Sequence, residues 1–177
     1  MYHLKNFIQL TNTIPEFFCV LAYPEAIRLA NMLLKSSEID PSLEQVITYD
    51  TTFDMGEFNL STLVMKNTNL EDNPLFPVAM FLHNRKDTST HWAFFDWVFK
   101  QLDCPTTVPF VTDREHSIVN SILGHSVGLH QLFYCTNHLL KNVRTWCSKK
   151  RFPRAEIDLN VIQVRNLIGK KSVESFE

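Results

Sequence analysis

Gln45-Val46-Ile47-Thr48-Tyr49-Asp50-Thr51-Thr52-Phe53 is the stretch on which the architecture turns. Val46 to Tyr49 are β-branched or aromatic, which predicts a strand ending at Asp50. Two similar runs follow closely: Phe58 to Met65, beyond a Met55-Gly56-Glu57 turn, and Phe76 to Leu82, beyond the polar residues 67–74. Short polar connections between three such runs predict an antiparallel meander.

The period changes downstream. Thr88, Ser89 and Thr90 are N-cap candidates, and Trp92, Phe95, Phe99 and Leu102 share one helical stripe. Val108 to Thr112 reads as a short strand ending at Asp113. It is followed by a helix through Ile118, Val119, Ile122 and Leu123 that Gly124 is expected to stop. A strand over Leu129 to Tyr134 then runs into a helix from about Asn137 to Trp146, and a last helix covers about Asp158 to Ile168. Upstream, residues 15–35 read as helical, with Phe17, Phe18, Leu21, Ile27, Leu29, Ala30, Leu33 and Leu34 at helical spacing and Pro24 breaking or restarting the helix. Ser36, Ser37, Asp40 and Pro41 form a turn-rich connection. The resulting class is α/β: a mixed five-stranded sheet, three antiparallel hairpin strands plus two parallel strands, flanked by helices.

Composition narrows the function classes. With 177 residues, 45% hydrophobic and 20% charged, the chain is not wholly disordered, and its four Cys cannot build a disulfide scaffold. No apolar run approaches the roughly 20 residues of a membrane span, so no membrane partner is expected. Met1 to Leu10 lacks the apolar core of a secretory signal. The net charge of −2 conceals a division: residues 1–140 carry eight basic and fifteen acidic side chains, whereas 141–177 carry nine basic and four acidic. An acidic body followed by a basic region is compatible with a polyanionic partner, although a solvated basic helix face gives the same pattern.

Asp50 and Asp113 occupy equivalent places at strand ends. If their strands are parallel neighbours, both carboxylates project beyond the sheet into one cleft. A divalent cation would relieve their repulsion, and an oxygen-only donor pair suits Mg²⁺ or Mn²⁺ better than Zn²⁺. Either aspartate alone is more simply a turn former, and Asp113 could cap the following helix. Together they are more specific.

Several ordered blocks then become recognisable: Asp50-Thr51-Thr52-Phe53, the Phe76-Pro77-Val78-Ala79-Met80-Phe81 strand with His83, the aromatic helix, Thr112-Asp113-Arg114-Glu115, and Cys135-Thr136-Asn137-His138 leading to Lys141-Asn142-Val143. Over about residues 44–147 the chain resembles the catalytic core of Mutator-like (MULE) transposases. The resemblance implies a ribonuclease H-like fold and a metal-dependent D-D-E site for DNA transposition and recombination. Asp50 and Asp113 are then the first two acids and metal ligands, and Mg²⁺ (or Mn²⁺) is the cofactor. Cys135 and His138 match the family's C-x-x-H motif. The family's Glu has no secure match: Glu174 and Glu177 are the late candidates, and Glu156 is another. Arg114 stands where relatives often carry a small residue.

The implied organisation is an N-terminal helical segment over 1–43, the core over 44–147 and a basic, truncated extension over 148–177. The implied partners are DNA at transposon ends and target, with Lys141, Arg144, Lys149, Lys150 and Arg151 on its backbone. A nuclear location and a possible homo-oligomer go with this reading. With the third acid unassigned, turnover is expected to be low or absent, and transposition is not expected from this polypeptide alone. The alternative is a domesticated or decayed relative that binds DNA or protein.

Other features have plainer readings. Cys135 and His138 could chelate one face of a zinc ion with Cys147, His125 or His130, but packing and hydrogen bonding explain them more simply. Trp92, Phe94, Phe95, Trp97 and Phe99 are expected to be core. His83 and His116 read either as groups that support the metal ligands near the strand ends or, more simply, as loop or cap residues. Lys149-Lys150-Arg151 and Arg154 suit phosphate contact, and the run also fits a nuclear-localisation patch.

Overall fold

The computed structural model describes residues 6–13, 16–43, 45–103, 108–125 and 131–169, apart from the side chains at 41 and 52–54. The chain forms two compact units, one through Phe133 and one from Tyr134.

The first unit is built on a mixed sheet of seven strands: β1 Ile8–Asn12, β2 Phe18–Leu21, β3 Ile47–Met55, β4 Phe58–Lys66, β5 Leu75–His83, β6 Phe110–Thr112 and β7 Leu132–Tyr134. Their order across the sheet is β1-β2-β5-β4-β3-β6-β7. The expected meander is present, since β3, β4 and β5 pair antiparallel, and β3 pairs parallel with β6. Met55 faces Phe58 across a two-residue turn at Gly56-Glu57. Gly56 has φ +75, the left-handed value that a glycine-led hairpin turn requires at its first central residue.

Two expectations are corrected. The sheet has seven strands rather than five, because β1 and β2 form an antiparallel hairpin that joins β5. Residues 15–35 are therefore not one helix. The run Phe18-Cys19-Val20-Leu21 is a strand, and the helix α1, Pro24–Ile39, begins at Pro24. A proline costs least in a helix's first turn, where its missing N–H has no carbonyl to meet.

Alternation of side chains sorts the sheet into unequal faces. Val20, Phe81 and Ser61 stand in one cross-strand row, and Ala79, Leu63, Tyr49 and Thr112 in the next; all are buried. Leu21, Met80, Thr62 and Asp50 form a row on the opposite face and are half-buried. Over the buried face lies helix α2, Thr88–Gln101, whose Phe94 and Phe95 rings stand 5.2 and 4.9 Å from Tyr49. Ala30, Leu33 and Leu34 of α1 join the same core, as do Ile118 and Ile122 of α3, His116–His125. Of the expected aromatic core, Phe94 and Phe95 are fully buried, while Trp97 and Phe99 pack at its margin and Trp92 is 40% exposed. The cap of α2 is Asp87, one residue before the expected threonines; its carboxylate accepts the Thr90 N–H at 2.8 Å.

Gly124 does not stop α3 but lies within it. A Cβ there would collide with the Trp92 ring, which packs against His125 with centroids 3.7 Å apart. Gly124→Ala is expected to cost about 1–3 kcal/mol of overpacking. Thermal denaturation checks this, and Trp92→Ala in the same chain should remove the penalty.

The second unit contains α4, Thr136–Lys149, and α5, Arg154–Ile168. Leu140, Cys147, Ile157 and Val161 are its buried residues, and Arg144 reaches Asp158 at 3.3 Å. Pro153 is the N-cap residue of α5 and follows a turn in which Arg151 takes φ +61. Among the described residues, no helix is long and apolar enough to cross a membrane.

Candidate metal centre

The parallel pairing of β3 with β6 runs Ile47 to Phe110, Thr48 to Val111 and Tyr49 to Thr112. One step further along both strands are Asp50 and Asp113. Distant in sequence, the two carboxylates thus meet by register. A ligand oxygen of each lies within 4.8 Å of the other, and both side chains are half-buried. The expected parallel adjacency is correct. The expected strand end at Asp50 is not, because β3 continues through Met55 as half of the hairpin with β4. Only the pairing with β6 stops there.

Asp113 is held locally: its carboxylate accepts the Glu115 N–H at 3.1 Å, turning the chain toward α3. It does not occupy the N-cap, since α3 starts at His116, which is exposed. Glu115 in turn accepts from the Ser117 hydroxyl at 3.0 Å.

Asp50 and Asp113 are the two carboxylates of a possible metal-binding group in the first unit; His138, in the second, is half-buried in the first turn of α4. The donor chemistry of the pair fits a hard divalent cation, since both groups offer carboxylate oxygens. Cys135 precedes α4 as its N-cap residue, is half-buried and is not in this group. Cys147 is buried in the second unit, and His125 bonds through Nδ1 to the Ser121 carbonyl at 2.9 Å, so neither joins Cys135 in a zinc site among the described residues. Glu174, Glu177 and His130 lie outside the described residues; Glu156 is exposed in the first turn of α5. Lys141, Arg144, Lys149, Lys150 and Arg151 are all exposed on α4 and the turn after it.

Beneath Asp50, on the other face of the sheet, is a polar network that sequence reasoning missed. Tyr49 Oη bonds to His91 Nδ1 at 2.9 Å. Thr51 Oγ1 bonds to Ser61 Oγ at 2.7 Å, and Ser61 Oγ to His83 Nε2 at 2.9 Å. Tyr49, Ser61, His83 and His91 have no solvent exposure. His83 is thus a buried strand residue, not the expected loop or cap. Burial raises the Tyr49 phenol far above its ordinary pKa, opposed by the Ser61 hydroxyl, while the charges of Glu115, Asp113 and Asp50 raise it further. Burial lowers His83, and it pulls His91 down to about 3, helped by the neighbouring His83. Both imidazoles are neutral at physiological pH. The available signal was positional: His83 shares the period-2 face of Phe81, and His91 sits three and four residues before Phe94 and Phe95.

Compared with protein-family models, curated proteins and solved structures, the chain matches none.

Proposed function

We propose that this chain is the catalytic-domain portion of a Mutator-like transposase, with a ribonuclease H-like core whose Asp50 and Asp113 hold a divalent cation for phosphodiester cleavage in DNA. The observation that carries the reading is the register of β3 and β6, which sets two aspartates side by side just past the pairing of two parallel strands. Carboxylates so placed repel each other, and such an arrangement is stabilised when a cation sits between them. The bound cation supplies Lewis acidity and lowers the pKa of a water nucleophile. The chain's own contribution is to fix the ligands, with Asp113 oriented by the Glu115 N–H. The exposed cations Lys141, Arg144, Lys149, Lys150 and Arg151 supply the contact with the phosphate backbone, and a nuclear location follows from DNA as the partner.

With the third acid unassigned, the site is one ligand short of a D-D-E triad, a shortfall that Mg²⁺, with its strict octahedral demand, tolerates least. Nicking is therefore expected to be slow and better supported by Mn²⁺ than by Mg²⁺, without strand transfer. The test is a time course of supercoiled plasmid with purified chain in each metal. Slow Mn²⁺-dependent conversion to open circle that disappears in Asp50→Asn is the expected result. DNA binding with no conversion in either metal would instead favour a domesticated, non-catalytic relative. Conversion that persists in Asp50→Asn would overturn the site.

A further inference from the structure

Asp50 sits between two weak points of the sheet. Its parallel ladder with β6 ends one residue before it, at the Tyr49–Thr112 pair, and the antiparallel register with β4 slips just after Thr51. Backbone pairing therefore supports Asp50 less firmly than any residue earlier in β3. The side chains on either side of it compensate. Tyr49 and Thr51 both point to the buried face, away from Asp50, and both end in hydrogen bonds there. Tyr49 is tied to His91 of α2, and Thr51 to Ser61 of β4, which is tied to His83 at the end of β5. His83 is itself anchored, its Nδ1 meeting the Arg85 carbonyl. The imidazoles of His83 and His91 are 5.1 Å apart, so the two ties converge on one place under the sheet.

We propose that Tyr49–His91 and Thr51–Ser61–His83 form a buried brace whose role is to position Asp50 for cation binding. The inference rests on the metal reading of the site and adds its positioning residues. A buried, satisfied polar network is costly to assemble and rigid once assembled. A purely structural purpose would be served as well by apolar side chains in the same places. Two ties, one on each neighbour of a single ligand, do what apolar packing does less well: they fix the backbone direction at that ligand. Residues that orient metal ligands without touching the metal typically change affinity by about 10–100-fold.

Thr51→Val keeps the β-branched shape and deletes only the hydroxyl, Thr51→Ser restores it, and Tyr49→Phe cuts the other tie. Mn²⁺ affinity of each full chain is read from the electron-paramagnetic signal of the free ion, with amide hydrogen exchange at residues 49–51 measured without metal. Thr51→Val and Tyr49→Phe are expected to weaken Mn²⁺ binding about 10–100-fold and to speed exchange at Asp50, while Thr51→Ser keeps the wild-type values. Exchange in the absence of metal reports on the brace even in a variant that no longer loads. Wild-type affinity and protection in Thr51→Val, with binding lost in Asp50→Asn, would leave the metal site standing and overturn the brace. Retention of Mn²⁺ in Asp50→Asn would overturn the metal reading itself and the brace with it.

Discussion

Asp50→Asn and Asp113→Asn will each abolish the rise in melting temperature that Mn²⁺ gives the wild-type chain, and neither will destabilise the chain without metal. The two halves of that result have one cause. A ligand oxygen of each carboxylate lies within 4.8 Å of the other. Two unit charges at that separation repel by on the order of 1 kcal/mol in water, and by a few kcal/mol at an effective dielectric of about 20. An amide at either position removes that repulsion and so leaves the metal-free chain as stable as before, or more stable. In Asp113→Asn the side-chain carbonyl oxygen can still accept the Glu115 N–H that the carboxylate accepts, so the turn into α3 survives. Metal binding behaves oppositely, because the site loses an anionic ligand. At a metal concentration of 100 times Kd, the wild type gains about 2.7 kcal/mol. In a chain of this size that amounts to about 5–10 °C. Differential scanning calorimetry with and without Mn²⁺ reads both halves. If Asp50→Asn lowers stability in the absence of metal, the carboxylate serves the fold rather than a cation.

The part of the fold that carries this site was readable because its signals are local. Ile47 and Tyr49 alternate with Thr48 and Asp50, the hairpin turn contains the glycine it needs, and Asp113 closes a run too short to be anything but a strand. Those features put each aspartate at the end of a strand pairing, and the parallel neighbourhood of β3 and β6 brings the two together. The N-terminal hairpin was not readable in the same way. Phe17, Phe18 and Leu21 satisfy helical spacing, and Phe18-Cys19-Val20-Leu21 equally satisfies a buried strand. What decides between them is the edge of β5, about sixty residues away, which offers Leu21 to Phe18 a row of partners from Met80 to His83. Gly124 illustrates the same limit. As a helix stop it is a reasonable local reading, but its reason for being glycine is Trp92 on another helix. Cys135 and His138 stand out as a pair by their spacing, yet spacing alone does not say whether either binds a metal. The brace under Asp50 was invisible for a related reason: each of its bonds joins residues far apart in the chain, apart from the Thr51–Ser61 cross-strand pair.

The same brace makes the fold acid-sensitive in a particular window. His91 has no exposed surface, and it packs against Tyr49 of β3 and His83 of β5, with Asp87 and Lys86 the nearest charges at the start of its own helix. Burial, reinforced by His83, lowers its folded pKa from 6.5 to about 3, and Asp87 only partly opposes this. The native chain therefore keeps His91 neutral, whereas the unfolded chain takes up a proton below about pH 6.5. Stability contributed by the neutral form is present in full above that pH and is lost as the pH falls toward 3. Each site can add a slope of at most about 1.4 kcal/mol per pH unit within the window. His83, whose pKa is lowered for the same reason, adds in the same direction. Urea denaturation at about pH 7.5, 6, 5 and 4 should show a midpoint that is flat at the top of the range and falls steadily below about pH 6. In His91→Phe the ring shape is kept and the proton-binding site removed. That variant starts less stable at neutral pH, having left the Tyr49 hydroxyl without its hydrogen-bond partner, but declines less steeply. Parallel curves for the two chains would mean that His91 does not titrate on unfolding, and the acid loss would then belong to the carboxylates. A wild-type midpoint that rises on acidification would contradict the neutral, buried pair outright.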